Sequence, residues 1–182
     1  MSSSVKISAT RDLVRIALCA SLIAVCAWIC VPSAIPFTMQ TFGVFFSLMF
    51  LGGRRGTIAI AVYAFIGCIG IPVFSGFQGG AGVLFGPTGG YIIGFLFTAL
   101  LYWLLTFLFG NATAVQIVSL LIGLIACYAF GTIWYLLIYS RGSGSMGLAA
   151  LLSLCVVPYI LPDIIKLILA VFLGKKLKRL AA

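Results

Sequence analysis

Two acidic residues occur in the sequence, Asp12 and Asp163, and there is neither glutamate nor histidine. Asp163 stands in Pro162-Asp163-Ile164-Ile165-Lys166, so a helix would set its carboxylate and the lysine ammonium on one face, with Cβ atoms roughly 5 to 6 Å apart. The surrounding residues are apolar, and a charge held at membrane depth costs at least about 2.5 to 3.5 kcal/mol. Residues kept there at such a cost face a cavity and mark a functional site. The plainer reading is a helix-capping aspartate neutralised by the lysine, but an apolar pair would fill that space more cheaply.

The other stretch with chemical potential is Phe74 to Tyr91, which holds seven of the 21 glycines within 18 residues. Each glycine would cost a regular helix or strand about 0.5 to 1 kcal/mol, so this composition predicts a loop whose backbone comes close to something. At its far end Pro87 and Thr88 precede an apolar run, which reads as a helix start capped by the threonine hydroxyl. The amides of Gly89, Gly90 and Tyr91 would then be free donors at the positive end of a helix dipole, where an anion binds. The alternative is a glycine-rich turn between two membrane helices, its polar atoms satisfying one another. Asp163, Lys166, these amides, Gln78 and the ring of Tyr91 together suit a small amphipathic ligand with amide-like polarity and an acid. They do not suit a metal ion.

Composition bounds what surrounds these residues. With 64% hydrophobic residues, 7% charged residues and a mean hydropathy of +1.31, the chain is an integral membrane protein, since soluble domains carry about 25% charged residues. The apolar runs are long and do not alternate, which predicts helices rather than a barrel. The net charge of +9 does not indicate nucleic acid, because the basic residues cluster at the edges of apolar runs rather than among aromatics on a polar face. None of the six cysteines forms a CxxC pair, and Cys19, Cys26 and Cys30 fall on one helical face as small packing residues. No cleavage site follows the first apolar run, so that run is expected to persist as a helix.

The elements that must position the site follow in order. A first helix is expected from about Leu13 to Val31, about 28 Å long, after a polar stretch over 1–12. Its residues Ala17, Ala20, Ser21, Ala24 and Ala27 form a small-residue stripe that lets another helix approach closely. Pro32 and Pro36 bound a short outer loop; apolar runs of about 15 residues follow, near Phe37 to Leu51 and Thr57 to Ile71, separated by Gly52-Gly53-Arg54-Arg55-Gly56. Both are short for a span and are expected to extend into their flanking turns or to lie where the bilayer thins. A fourth helix is expected near Gly90 to Phe109 and a fifth near Ala114 to Tyr139. Arg141-Gly142-Ser143-Gly144-Ser145 reads as a flexible linker, followed by an outer segment reaching Ile160. A sixth helix then starts at Pro162, with Asp163 in its first turn, and runs to about Leu180.

Basic residues set the expected orientation. With the amino terminus inside, Lys6, Arg11, Arg15, Arg54, Arg55, Lys175, Lys176, Lys178 and Arg179 all lie on the inner face, and Arg141 alone lies outside. Residues 1–182 thus read as a single all-α domain, a bundle of six transmembrane helices with both termini cytoplasmic. The glycine-rich loop and the start of the sixth helix meet on the outer face.

At this point the residues resemble a known family. Phe74-Ser75-Gly76-Phe77, the run from Gly80 through Gly82, Leu84 and Gly86-Pro87-Thr88-Gly89-Gly90-Tyr91, and Pro162-Asp163 with Lys166 together resemble the BioY family of biotin transporters. The resemblance covers nearly the whole chain. It implies the substrate-capture (S) component of an energy-coupling factor (ECF) transporter in a prokaryotic cell membrane. Such a protein binds biotin near the outer face and docks on a transmembrane coupling protein (EcfT) driven by two ATPase subunits. It implies that Gln78, Gly89, Gly90, Tyr91, Asp163 and Lys166 bind the substrate, and that Ala17, Ala20 and Ala24 form the docking surface. No cofactor is implied, and ATP belongs to the partner subunits, in keeping with the lack of a GxxxxGK[ST] phosphate loop here. A membrane enzyme would need paired carboxylates, a serine with a base or a metal cluster, which this sequence does not offer. A stand-alone proton-coupled carrier and an S component for another vitamin remain as alternatives.

Overall fold

The computed structural model describes residues 2–32, 36–140, 152–153 and 155–180. The expected linker at 141–145, most of the outer segment after it and part of the loop between Pro32 and Pro36 lie outside the described residues.

The first helix, α1, runs Ser2–Trp28 and so begins well before the apolar residues do. Residues 2–12 hold neither proline nor glycine, and hydropathy marks only the portion of a helix that is buried, not where the helix starts. At its other end the chain leaves α1 for a minimal antiparallel hairpin, Cys30–Val31 paired with Phe37–Thr38, and therefore does not stay helical to Val31. This hairpin takes residues that the apolar run assigned to the next helix. As a result α2 spans only Gln40–Leu51, about 18 Å, rather than growing into its flanks. Gly52, at φ +82°, reverses direction in one residue, and α3 follows at Gly53–Cys68.

The glycine-rich stretch folds into a 3-10 turn at Ser75–Phe77 and one helical turn, α4, at Ala81–Leu84. Next come α5 at Gly89–Phe109 and α6 at Thr113–Ser140. The last helix, α7, is Val157–Leu180 and carries Pro162 inside it rather than at its start. Pro158 falls in the first turn, where its missing amide costs nothing. Pro162 forgoes one bond, to the carbonyl of Pro158, and the helix continues through it.

The segments Gly89–Phe109, Thr113–Ile138 and Val157–Leu180 are long and apolar enough to cross a membrane. Small residues let α5 and α6 pack closely as an antiparallel pair. A methyl added at Gly94 would stand 2.7 Å from Cys127 Sγ, and one at Gly123 would stand 2.6 Å from the Thr98 side chain. Thr98 also donates to the carbonyl of Gly123 at 2.8 Å, spending its hydroxyl inside the interface. The core between helices gathers Ile23, Phe45, Leu48, Met49, Ile60, Tyr63, Ala99, Tyr102 and Leu120. Large apolar side chains such as Leu18, Phe65, Phe107, Ile168 and Phe172 point outward, the inverse of a water-soluble surface.

The helix α2 runs parallel to α7. Thr41 meets Asp163 near the start of both, and Met49 packs on Gly174 toward their far ends. That register carries α2's first turn, with its polar residues, to the charged turn of α7.

Candidate functional site

Asp163 and Lys166 meet at 2.8 Å on α7, and both are buried, at 3% and 5% exposure. Two buried charges persist only when hydrogen bonds satisfy what the pairing leaves over. The carboxylate Oδ1 accepts from Lys166 and from the Thr41 hydroxyl at 2.8 Å, and Oδ2 accepts from the Tyr128 hydroxyl at 2.6 Å. The ammonium donates to the carbonyl of Thr38 at 2.6 Å, to Asp163 and to Thr41 Oγ1 at 3.2 Å. It also lies 4.2 Å from the centre of the Phe37 ring, a cation–π contact. The hairpin, α2 and α6 thus all converge on one turn of α7. Asp163 caps nothing: it lies beyond the first turn, and its side chain faces inward.

This cluster forms one wall of a cavity of about 100 Å³, many times the 10 to 15 Å³ that a single water requires. The apolar walls include Phe74, Ile92, Phe95 and Val83, and Tyr159 and Cys155 close another side. Gln78, Tyr91, Asp163 and Lys166, which the sequence singled out, all line the cavity. Gln78 is exposed at the loop, while the Tyr91 hydroxyl pairs with Thr132 at 3.2 Å across α5 and α6.

Gly89 and Gly90 play a different part. The amide of Gly89 donates to Gly86 and that of Tyr91 donates to Thr88, both at 3.1 Å, so of the three expected anion donors those two are already paired. Thr88 makes no side-chain cap, because its own backbone is already helical. A methyl at Gly89 would fall 1.8 Å from the carbonyl oxygen of Leu84, and one at Gly90 would fall 2.3 Å from Trp134 Cβ. At Gly79, Gly86, Gly89 and Gly90 the missing side chain lets the backbone come close, and what it meets there is the protein itself, whereas Gly76, Gly80 and Gly82 face open space.

The rest of the loop is tied down in the same way. Phe74 is buried against the bare Cα of Gly67 and meets Tyr63 edge-on, with ring centres 5.7 Å apart. The Tyr63 hydroxyl accepts a hydrogen bond from the Gln40 amide at 2.9 Å and donates to the carbonyl of Val73 at 3.2 Å. Trp28 donates to the carbonyl of Pro72 at 2.9 Å and stacks on Phe77. Sequence reasoning missed Thr38, Gln40, Thr41 and Tyr128. The polar pair Gln40-Thr41 at the head of an apolar run was the available signal, whereas a tyrosine inside α6 gave none.

The alanine stripe divides. Ala20 and Ala24 are each 5% exposed and belong to the protein's own core, so they are not open for docking; Ala17 and Ser21 remain on the surface. The close approach that the stripe permits is made by α2, where a methyl on Gly43 would lie 3.1 Å from the Cα of Ile23. Of the cysteines on this helix, Cys19 and Cys26 are buried free thiols.

Comparison with known proteins agrees with this architecture. The description of the BioY family matches residues 1–182. The chain belongs to the BioY family. Among its relatives in this family, the biotin transporter BioY of Thermotoga maritima is 39% identical over 171 residues, covering 93% of this chain and 97% of that one. The probable biotin transporter BioY of Pyrococcus horikoshii is 34% identical over 170 residues, covering 92% and 96%. The crystal structure of an S-component for biotin from an ECF-type ABC transporter superimposes with a TM-score of 0.81 at 27% identity, over 98% of this chain and 95% of that one. These BioY relatives are transporters rather than enzymes, and the helices here form a membrane protein of the same architecture.

Proposed function

We propose that the chain captures biotin as the substrate-specific S component of an ECF-type transporter. The observation that carries this reading is the buried Asp163–Lys166 pair set in the wall of a largely apolar cavity, within a chain of the BioY family. Biotin offers fused rings for the apolar walls, a ureido group with two N–H donors and one acceptor, and a carboxylate on a flexible tail. Asp163 accepts a ureido N–H, Gln78 adds a contact from the loop, Tyr91 walls the pocket, and Lys166 pairs with Asp163 at 2.8 Å.

The chain works as a single unit of six spans in the plasma membrane of a prokaryote, with both termini cytoplasmic. Support comes from charge. Arg55 pairs with Asp12 at 2.5 Å and Lys175 with Thr113, so the basic ends of α1, α3 and α7 gather at one edge with the start of α6. That edge lies about 18 Å along α7 from Asp163, and the positive-inside rule makes it cytoplasmic. Energy comes from a transmembrane coupling protein (EcfT) and two ATPase subunits, and the chain itself holds no cofactor. Proteoliposomes carrying the chain with such a coupling module and ATP will accumulate labelled biotin. Accumulation by the chain alone, driven by a pH gradient without ATP, would replace this reading with that of a stand-alone carrier.

A further inference from the structure

The ion pair presents the cavity with an uneven set of hydrogen-bonding groups. An ammonium has three protons, and those of Lys166 go to Thr38, Thr41 and Asp163. A carboxylate offers about four acceptor positions, of which Asp163 fills two on Oδ1 and one on Oδ2. The Tyr128 hydroxyl has one proton, already given to Oδ2 at 2.6 Å, so its oxygen can only accept. Tyr128 and Asp163 both line the cavity. Here the wall therefore presents two adjacent acceptors, the Tyr128 oxygen and Oδ2 of Asp163.

From this we infer that Tyr128, with Thr41, is a positioning residue that fixes Asp163 so that its remaining Oδ2 lone pair selects a ligand N–H. The inference deepens the proposed function and rests on it. Two adjacent acceptors repel a carboxylate and welcome a donor, so this pair receives the ureido end of the ligand and not the acid end. Thr41 holds Oδ1 from α2 and Tyr128 holds Oδ2 from α6, so the carboxylate plane is fixed from two helices that are far apart in sequence. Without either hydroxyl the carboxylate turns, and the lone pair no longer points at the ligand.

The test crosses a protein change with a ligand change. Biotin and its two mono-N-methylated forms, each lacking one ureido N–H, are titrated against the wild-type chain and against Tyr128→Phe, Thr41→Val and Thr41→Ser. Biotin is expected to bind Tyr128→Phe and Thr41→Val about tenfold more weakly than wild type, with Thr41→Ser, which keeps the hydroxyl, close to wild type. One of the two methylated ligands should bind wild type poorly and lose nothing further in Tyr128→Phe. If Tyr128→Phe and Thr41→Val weaken all three ligands by one common factor, or leave biotin untouched, the positioning role is wrong although the function stands. If the wild-type chain does not bind biotin, the function itself is wrong and the inference goes with it.

Discussion

Thr41 and Asp163 are 122 residues apart in the chain, yet the threonine hydroxyl donates to the carboxylate at 2.8 Å. The same hydroxyl oxygen lies within reach of Lys166, so one small side chain at the head of α2 touches both charges of the pair. A buried ion pair is stable only inside such a frame, and the frame explains how these variants should behave.

Removing one charge should harm the fold more than removing both. Lys166→Met leaves a buried, uncompensated carboxylate, which costs about 3 to 5 kcal/mol, whereas the Asp163→Leu/Lys166→Met double variant is expected to unfold close to the wild-type temperature. Thermal unfolding in detergent checks the order. A double variant less stable than the single one would show that the frame, not the charge balance, sets the stability.

Asp163→Asn keeps the shape of the side chain but drops its charge. Its affinity for biotin should fall by about tenfold or more, since a charge-assisted hydrogen bond contributes roughly 1.5 to 3 kcal/mol. Calorimetric titration measures this directly, and an unchanged Kd would remove Asp163 from the ligand contacts.

The loop over the cavity is held by the hydrogen bonds from Gln40 to Tyr63 and from Tyr63 to the carbonyl of Val73. Tyr63→Phe should cost about 1 kcal/mol and speed amide exchange over residues 72–80 more than in α5. Uniform acceleration throughout the protein would point to general destabilisation instead.

Gly90 sits where a methyl would press on Trp134, so Gly90→Ala should destabilise by about 1 to 3 kcal/mol through overpacking. Gly82 has open space around its Cα, and Gly82→Ala should leave the unfolding temperature nearly unchanged. Equal effects at the two positions would contradict the packing account of the loop.

How far the sequence carried depended on the range of the force involved. Apolar runs reported the long helices α5 and α6 to within a residue or two at each end, because the membrane imposes length and hydrophobicity locally. Asp163 and Lys166 were legible for the same reason: charges are expensive there. The polar start of α1 and the hairpin before α2 were not, since water tolerates either helix or coil and the hairpin depends on its pairing partner. Tyr128 was invisible as a site residue because its role comes from the meeting of α6 and α7, which no local pattern encodes, and Thr41 left only the faint signal of a polar pair at the head of an apolar run. The alanine stripe was read as a face for close helix approach, with docking implied by the resemblance, and the loop glycines as backbone offered to a ligand or as a turn between helices. Both turned out largely to be places where this chain approaches itself, and the spacing of small residues cannot distinguish these cases.

The most direct test of the central claim is calorimetric titration of the purified chain with biotin, beside thiamine and riboflavin. Saturable, tight binding of biotin and no heat of binding for the other two is the expected result. Binding of either of the others in its place, or no binding of biotin, would contradict it.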